Sequence, residues 1–173
     1  MDACLALGTL VETDRGPQPI ERLRVGDHAL TRHGYRPVIW AGATNPRAQV
    51  IRATFSNGAA LVGTPQHPVY ARGVGFVPMQ ALRAGDAVVT SRGADVRVIA
   101  LSSREADGQP LREQAVYNLE VADAPEYFAQ GILVHNCRYA LHTALGQAQS
   151  AETYLASLRR RIGPGKPPPQ APT

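Results

Sequence analysis

The chain has 173 residues, 44% of them hydrophobic, enough for one cored domain of ordinary size and a smaller appendage. Its net charge of +4 sits at the end: Arg138, Arg159, Arg160, Arg161 and Lys166 stand against Glu152 alone, and removing these from 18 basic and 14 acidic residues leaves 13 of each in the first 136 positions. A neutral body excludes the clustered Lys and Arg of a nucleic-acid footprint, no apolar run reaches the ~18 residues of a membrane span, and two cysteines are too few for a disulfide-stapled secreted framework.

In chain order, short β-branched or aromatic-rich segments bounded by Gly, Pro, Asn or Asp predict strands at 7–13, 28–32, 37–41, 49–55, 60–63, 68–71, 87–91, 96–102, 115–121 and 127–134. The body is therefore expected to be all-β. Residues 19–34 align with 78–93 at a constant offset of 59, agreeing at seven of sixteen positions in Pro, Leu, Arg, Gly, Asp, Thr and Gly. Each copy reads as a helical turn carrying a buried Leu, a Gly-Asp turn and a strand ending at another Gly, which predicts two similar β-subdomains around a pseudo-two-fold axis. After Cys137 the pattern changes. Leu141, Ala144, Leu145, Ala148, Ala151, Leu155 and Leu158 recur at helical spacing, predicting an amphipathic helix over about 138–161, followed by a Pro-rich disordered tail.

Cys4 and Cys137 have no zinc-binding spacing, and each has informative neighbours. Cys4 opens Cys-Leu-Ala-Leu-Gly-Thr-Leu-Val. Thr64-Pro-Gln-His67, Val116-Tyr-Asn-Leu-Glu-Val121 and Ile132-Leu-Val-His-Asn-Cys137 follow in order. Alone, each is a weak signal; a Thr-x-x-His is usually a strand-end Thr beside an unrelated His. As an ordered set over residues 4–137, they make the sequence resemble the Hint superfamily of inteins, bacterial intein-like domains and the hedgehog autoprocessing domain. The resemblance implies a horseshoe-like β-fold, no cofactor or metal, and a reaction confined to the chain's own flanks. On that reading residues 1–3 and 137–173 are the flanks and 4–136 is the processing domain. The stretch between His67 and Val116 is filled by the second repeat copy and is too short for a homing endonuclease, so a mini-intein is expected.

The residue types suit that chemistry. A peptide amide is held by resonance, but a thiol placed just after the scissile carbonyl can attack it through a five-membered ring, and Cys4 stands so relative to Ala3. An unperturbed thiol, with a pKa of about 8.5, is only a few per cent thiolate at neutral pH. The fold must therefore assist. The resemblance implies His67 as proton donor to the leaving nitrogen and Thr64 as hydrogen-bond partner of the scissile amide. Cys137 would then take over the thioester, the Asn136 side chain would attack its own carbonyl to form a succinimide, and His135 would polarise that carbonyl or protonate the leaving amine.

Two positions depart from the family pattern. Asn118, a possible supporting residue, stands where splicing inteins usually carry Asp or Cys, and Pro125 stands where an assisting His is frequent. Asn118 cannot act as a carboxylate acid or base, so leakage into simple cleavage is one expectation. The competing readings are a bacterial intein-like domain that cleaves without ligation, and a catalytically silent β-module for binding. A cytoplasmic monomer is expected. The joined flanks would place Ala3 before Cys137-Arg138-Tyr139-Ala140, a string that resembles the C-terminal end of phage terminase large subunits.

Overall fold

The structure, a computed structural model, describes residues 3–136. The helix expected over 138–161 and its tail lie outside them, as does Cys137. The first half of the chain forms β1 (Leu5–Ala6), β2 (Leu10–Thr13), β3 (Gly16–Pro19), β4 (His28–Thr31), β5 (Gly34–Ala48), β6 (Ile51–Phe55) and β7 (Ala60–Gly63). The second forms β8 (Pro68–Ala71), β9 (Gly75–Pro78), β10 (Ala87–Val88), β11 (Val96–Ser102), β12 (Gln114–Val121), β13 (Glu126–Ala129) and β14 (Ile132–His135). The only helical turns among the described residues are 3-10 turns at Ile20–Arg22 and Met79–Ala81. The all-β expectation holds.

The strands join in one antiparallel path, β10-β11-β6-β7-β1-β12-β5-β4-β2-β13-β14-β8-β9, with β3 on β2, and a β10–β8 pairing closes it on itself. Strands β2, β4, β6 and β7 bury alternate residues. By contrast β8, β13 and β14 are buried at every position and run through the middle of the molecule. Leu5, Phe55, Leu61, Met79, Leu119, Tyr127 and Ile132 form the centre of the core. A fully buried side chain of this kind contributes about 1.5–3 kcal/mol relative to exposure.

The duplication is present in the hydrogen bonds. In the first copy Asp27 Oδ2 accepts from Arg24 N at 2.9 Å, Gly26 N donates to Val38 O at 2.9 Å, and Val38 N donates to Asp27 O at 2.6 Å. In the second, Asp86 Oδ2 accepts from Arg83 N, Gly85 N donates to Val98 O and Val98 N to Asp86 O, each at 2.8 Å. Gly26 and Gly85 have φ of 96° and 92°, a conformation that a side chain disfavours. The shared Gly-Asp is therefore a turn requirement, with the Asp carboxylate closing the preceding backbone.

Several boundaries differ from the sequence-based expectation. The strand expected over 7–13 begins only at Leu10: residues 7–9 form a turn after β1, in which Thr9 N donates to Ala6 O at 3.1 Å. The strand expected over 127–134 is a hairpin, β13 and β14, turned by Gln130 and Gly131 at φ of 51° and 74°. The strand expected over 37–41 extends through all 15 residues of β5, which pairs with β4 at its start and with β12 beyond. The hairpin strands β3 and β9 were not expected.

Candidate functional site

The site is built where two pairs of strand ends meet. β1 pairs with β7 through Leu5 and Gly63, so Cys4, just before β1, lies beside Thr64, just after β7. The approach is close. A Cβ on Gly63 would fall 2.7 Å from Cys4 O and 2.9 Å from Leu5 Cδ2, so only glycine fits there. Likewise β14 pairs with β8 through Val134 and Val69, which brings the His135-Asn136 end of β14 to His67 at the start of β8. Thr64 and His67 belong to one turn, closed by a bond from His67 N to Thr64 O of 3.1 Å. That turn joins the two strand pairs.

At the N-terminal end, Cys4 N donates to Thr64 Oγ1 at 2.9 Å and Thr64 N donates to Cys4 O at 2.9 Å. Cys4 N is the nitrogen of the Ala3–Cys4 bond, and Cys4 is fully buried. Its sulfur lies 2.8 Å from Thr44 Oγ1. His67 is also fully buried, and neither ring nitrogen completes a hydrogen bond among the described residues. Burial lowers its pKa to about 3, with the neighbouring Ala3 backbone favouring the protonated ring and His135 opposing it. Such a ring is neutral near pH 7 and must gain a proton before it can donate one.

At the C-terminal end, His135 Nδ1 lies 2.8 Å from Asn136 O, the carbonyl of the Asn136–Cys137 bond. A carbonyl only accepts, so the contact requires the proton on Nδ1. Phe76 packs edge-on against the His135 ring, with centroids 4.7 Å apart. Burial lowers the His135 pKa to about 4, while the Asn136 backbone and the Glu126 charge favour its protonation. The Asn136 side chain is held by the β12–β13 connection. In the amide orientation that satisfies both its ends, its oxygen accepts from Val121 N at 2.8 Å and its nitrogen donates to Pro125 O at 3.3 Å.

The structure thus brings Cys4, Thr64, His67, His135 and Asn136 together, and all five are buried. Asn118 is buried on β12, where its Oδ1 accepts from the adjacent Leu119 N at 2.9 Å. Pro125 contributes only its carbonyl, which also accepts from Asn136 N at 2.9 Å.

Reading the sequence missed two groups. Glu126 is fully buried, pairs with Arg32 at 2.7 Å, also accepts from Arg32 N at 3.0 Å, and is the cross-strand neighbour of His135. Arg32 in turn lies over the Tyr70 ring at 4.5 Å. A buried carboxylate beside the last His was legible only as Glu126 in the hydrophobic surroundings of 124–129; its partner is 94 residues away. The other missed group is Thr44. Among the described residues, no His, Cys, Asp or Glu cluster could hold a metal ion, and no helix is long and apolar enough to cross a membrane.

The lowered histidine pKa values predict acid sensitivity. Unfolded, both rings take up protons near pH 6.5; folded, they do so only near 3 and 4. As pH falls from 6.5 towards 4 the unfolded chain binds protons that the folded chain does not, so stability falls. Each pKa unit corresponds to ~1.4 kcal/mol, so Tm should drop by roughly 10 °C or more between pH 7 and pH 4. Calorimetry checks this. A smaller slope is expected for His67→Gln, and a slope equal to that of the unchanged chain would contradict a buried neutral His67.

A family model described as the pretoxin HINT domain matches residues 10–137. Among solved structures, the chain is similar to the gp41-1 intein at 21% identity, covering 79% of this chain and 100% of that one with a TM-score of 0.67. It is similar to a bacterial intein-like domain from Clostridium thermocellum at 29% identity, over 79% and 99% of the two chains, with a TM-score of 0.66. A DnaB intein from Synechocystis matches at 14% identity, over 78% and 99%, with a TM-score of 0.67. The two inteins speak to the fold alone. No curated protein sequence matches the chain.

Proposed function

Because the chain belongs to the pretoxin HINT domain family, we propose that it processes itself by protein splicing, cutting at Ala3–Cys4 and Asn136–Cys137 and joining residues 1–3 to 137–173. The observation that carries this reading is that both bonds are engaged by separate side chains of one buried site. Thr64 Oγ1 lies 2.9 Å from the nitrogen of the first, and His135 Nδ1 lies 2.8 Å from the carbonyl of the second.

In the first step the Cys4 sulfur bonds to the Ala3 carbonyl carbon, the C–N bond breaks, and the Cys4 nitrogen takes up the proton the thiol has lost. Neutral His67, facing Ala3, carries that proton from sulfur to nitrogen, while Thr64 orients the amide. Cys137 then exchanges with Cys4 at the thioester. Next the Asn136 side-chain nitrogen attacks the Asn136 carbonyl carbon, its oxygen polarised by His135, and the Cys137 amine leaves. The freed amine finally displaces its own thioester, leaving an amide between Ala3 and Cys137.

A second reading is cleavage without ligation. Asn118 favours it, because an amide cannot supply the acid–base function of the Asp or Cys usual there, and a slow exchange step would let Asn136 cyclise first. Intact mass of the 18.5 kDa chain after incubation with and without thiol separates the two. Splicing yields the freed domain and a ligated flank product, cleavage yields flanks without ligation, and an unchanged mass would refute both.

A further inference from the structure

Resting on the thioester reading above, we propose that Thr44 is a catalytic residue of the N-terminal step, the hydroxyl that orients the Cys4 thiol and stabilises the thiolate formed from it. Its Oγ1 lies 2.8 Å from Cys4 Sγ and 3.3 Å from Val116 O.

The backbone aims it there. Across β5 and β12, Ala43 pairs with Tyr117 and Asn45 with Val116, so Thr44 is an extra residue with no ladder partner of its own. Such a bulge breaks the alternation of a strand and re-aims one side chain. Val116 and Cys4 share a small apolar cluster with Ala48, Val50 and Leu111, and the Thr44 hydroxyl is the polar group this cluster presents to the sulfur.

Hydroxyl chemistry gives the contact a direction. Thr44 has one proton and can accept from others. With the thiol protonated, S–H donates to Oγ1 while Oγ1–H donates to Val116 O. With the proton gone, the same hydroxyl turns its proton to the sulfur and gives up only the longer bond to Val116. A hydrogen bond to an ionised acceptor is about twice as strong as a neutral one, so the exchange favours the thiolate. Thr44 supplies no net proton: the C–S bond forms, the C–N bond breaks, and the proton leaving sulfur ends on the Cys4 nitrogen.

The test uses the full chain carrying Asn136→Ala, so that only the N-terminal step is read, as release of the N-terminal flank by dithiothreitol across pH 6 to 10. Thr44→Val keeps the branched shape without the hydroxyl, Thr44→Ala is a second hydroxyl-free variant, and Thr44→Ser restores the hydroxyl. At pH 7 the Val and Ala variants should be slower by roughly ten- to hundredfold, with the rise in rate displaced to higher pH, and the Ser variant should recover most of the rate and the original profile. A merely structural role would lower the rate without moving the profile. Equal rates and profiles for Val and Ser overturn the proposal. A parent inert to dithiothreitol at every pH overturns the thioester reading as well, and the two failures are told apart by which chain is inert. Cleavage at Asn136 in chains that keep Asn136 shows that each Thr44 variant is folded.

Discussion

Cys4→Ala should eliminate cleavage at the Ala3–Cys4 bond, with or without added thiol, lowering its rate by roughly three orders of magnitude or more, because the Cys4 thiol is the one that directly follows the Ala3 carbonyl and can reach it through a five-membered ring. The hydroxyls beside it, Thr64 and Thr44, carry no sulfur and cannot form a thioester. Thr64 Oγ1 is committed to Cys4 N, and a water would need an activating base and an entry path. The C-terminal reaction uses different atoms: the Asn136 amide, the Asn136 carbonyl and His135, held by β14 and the β12–β13 connection. It should persist slowly. Mass spectrometry of the purified variant over several days reads both bonds at once. Ligated flanks from this variant would refute the first step, since ligation needs the N-terminal flank to be activated as a thioester. Alanine also removes little bulk, so Tm should change modestly, and a large fall would mean that the Cys4–Thr44 contact supports the fold as much as the chemistry.

What could be read ahead of the structure was what local chemistry controls. The two Gly-Asp turns were legible because the need for positive φ and for a carboxylate acceptor is written in two adjacent residues, at 26–27 and again at 85–86. The β13–β14 hairpin was not, because Gln130-Gly131 lacks the Asn-Gly or Asp-Gly signature and the flanking residues are buried on both faces, so the segment reads as one apolar run. The ends of β5 were hidden for a related reason. Bulges shift its register against β12, and a bulged strand loses the period of two by which strands are recognised. The same distinction divides the site. Thr64 and His67 sit in one short turn, and His135 and Asn136 are neighbours, so each pair is a short local motif, weak alone and readable once the pieces stand in order. Thr44 reaches Cys4 only because a bulge turns it towards a cysteine 40 positions earlier, and Glu126 is paired only because Arg32 closes over it from 94 positions away.

Asn136→Ala separates the two halves of the reaction from the other side. Alanine cannot form the succinimide, so release of residues 137–173 should fall by roughly three orders of magnitude or more. Cys4, Thr44, Thr64 and His67 are untouched, so the Ala3 thioester should still form and be intercepted by added thiol. The variant removes the side-chain bonds to Val121 N and Pro125 O, but Asn136 N still donates to Pro125 O at 2.9 Å, so the end of β14 stays anchored. His135 keeps its backbone contact as well, because its partner is the carbonyl of residue 136 and not that residue's side chain. With dithiothreitol, the N-terminal flank should therefore be released while the C-terminal flank stays attached, and without it the mass should remain near that of the full chain. The measurement is intact mass with and without thiol at pH 7 to 8. A folded variant inert to thiol would show that N-terminal activation depends on Asn136, which the separate bonding of the two ends does not allow. Release of the C-terminal flank at the rate of the unchanged chain would instead remove Asn136 from the reaction and leave His135 polarising a carbonyl that some other nucleophile attacks.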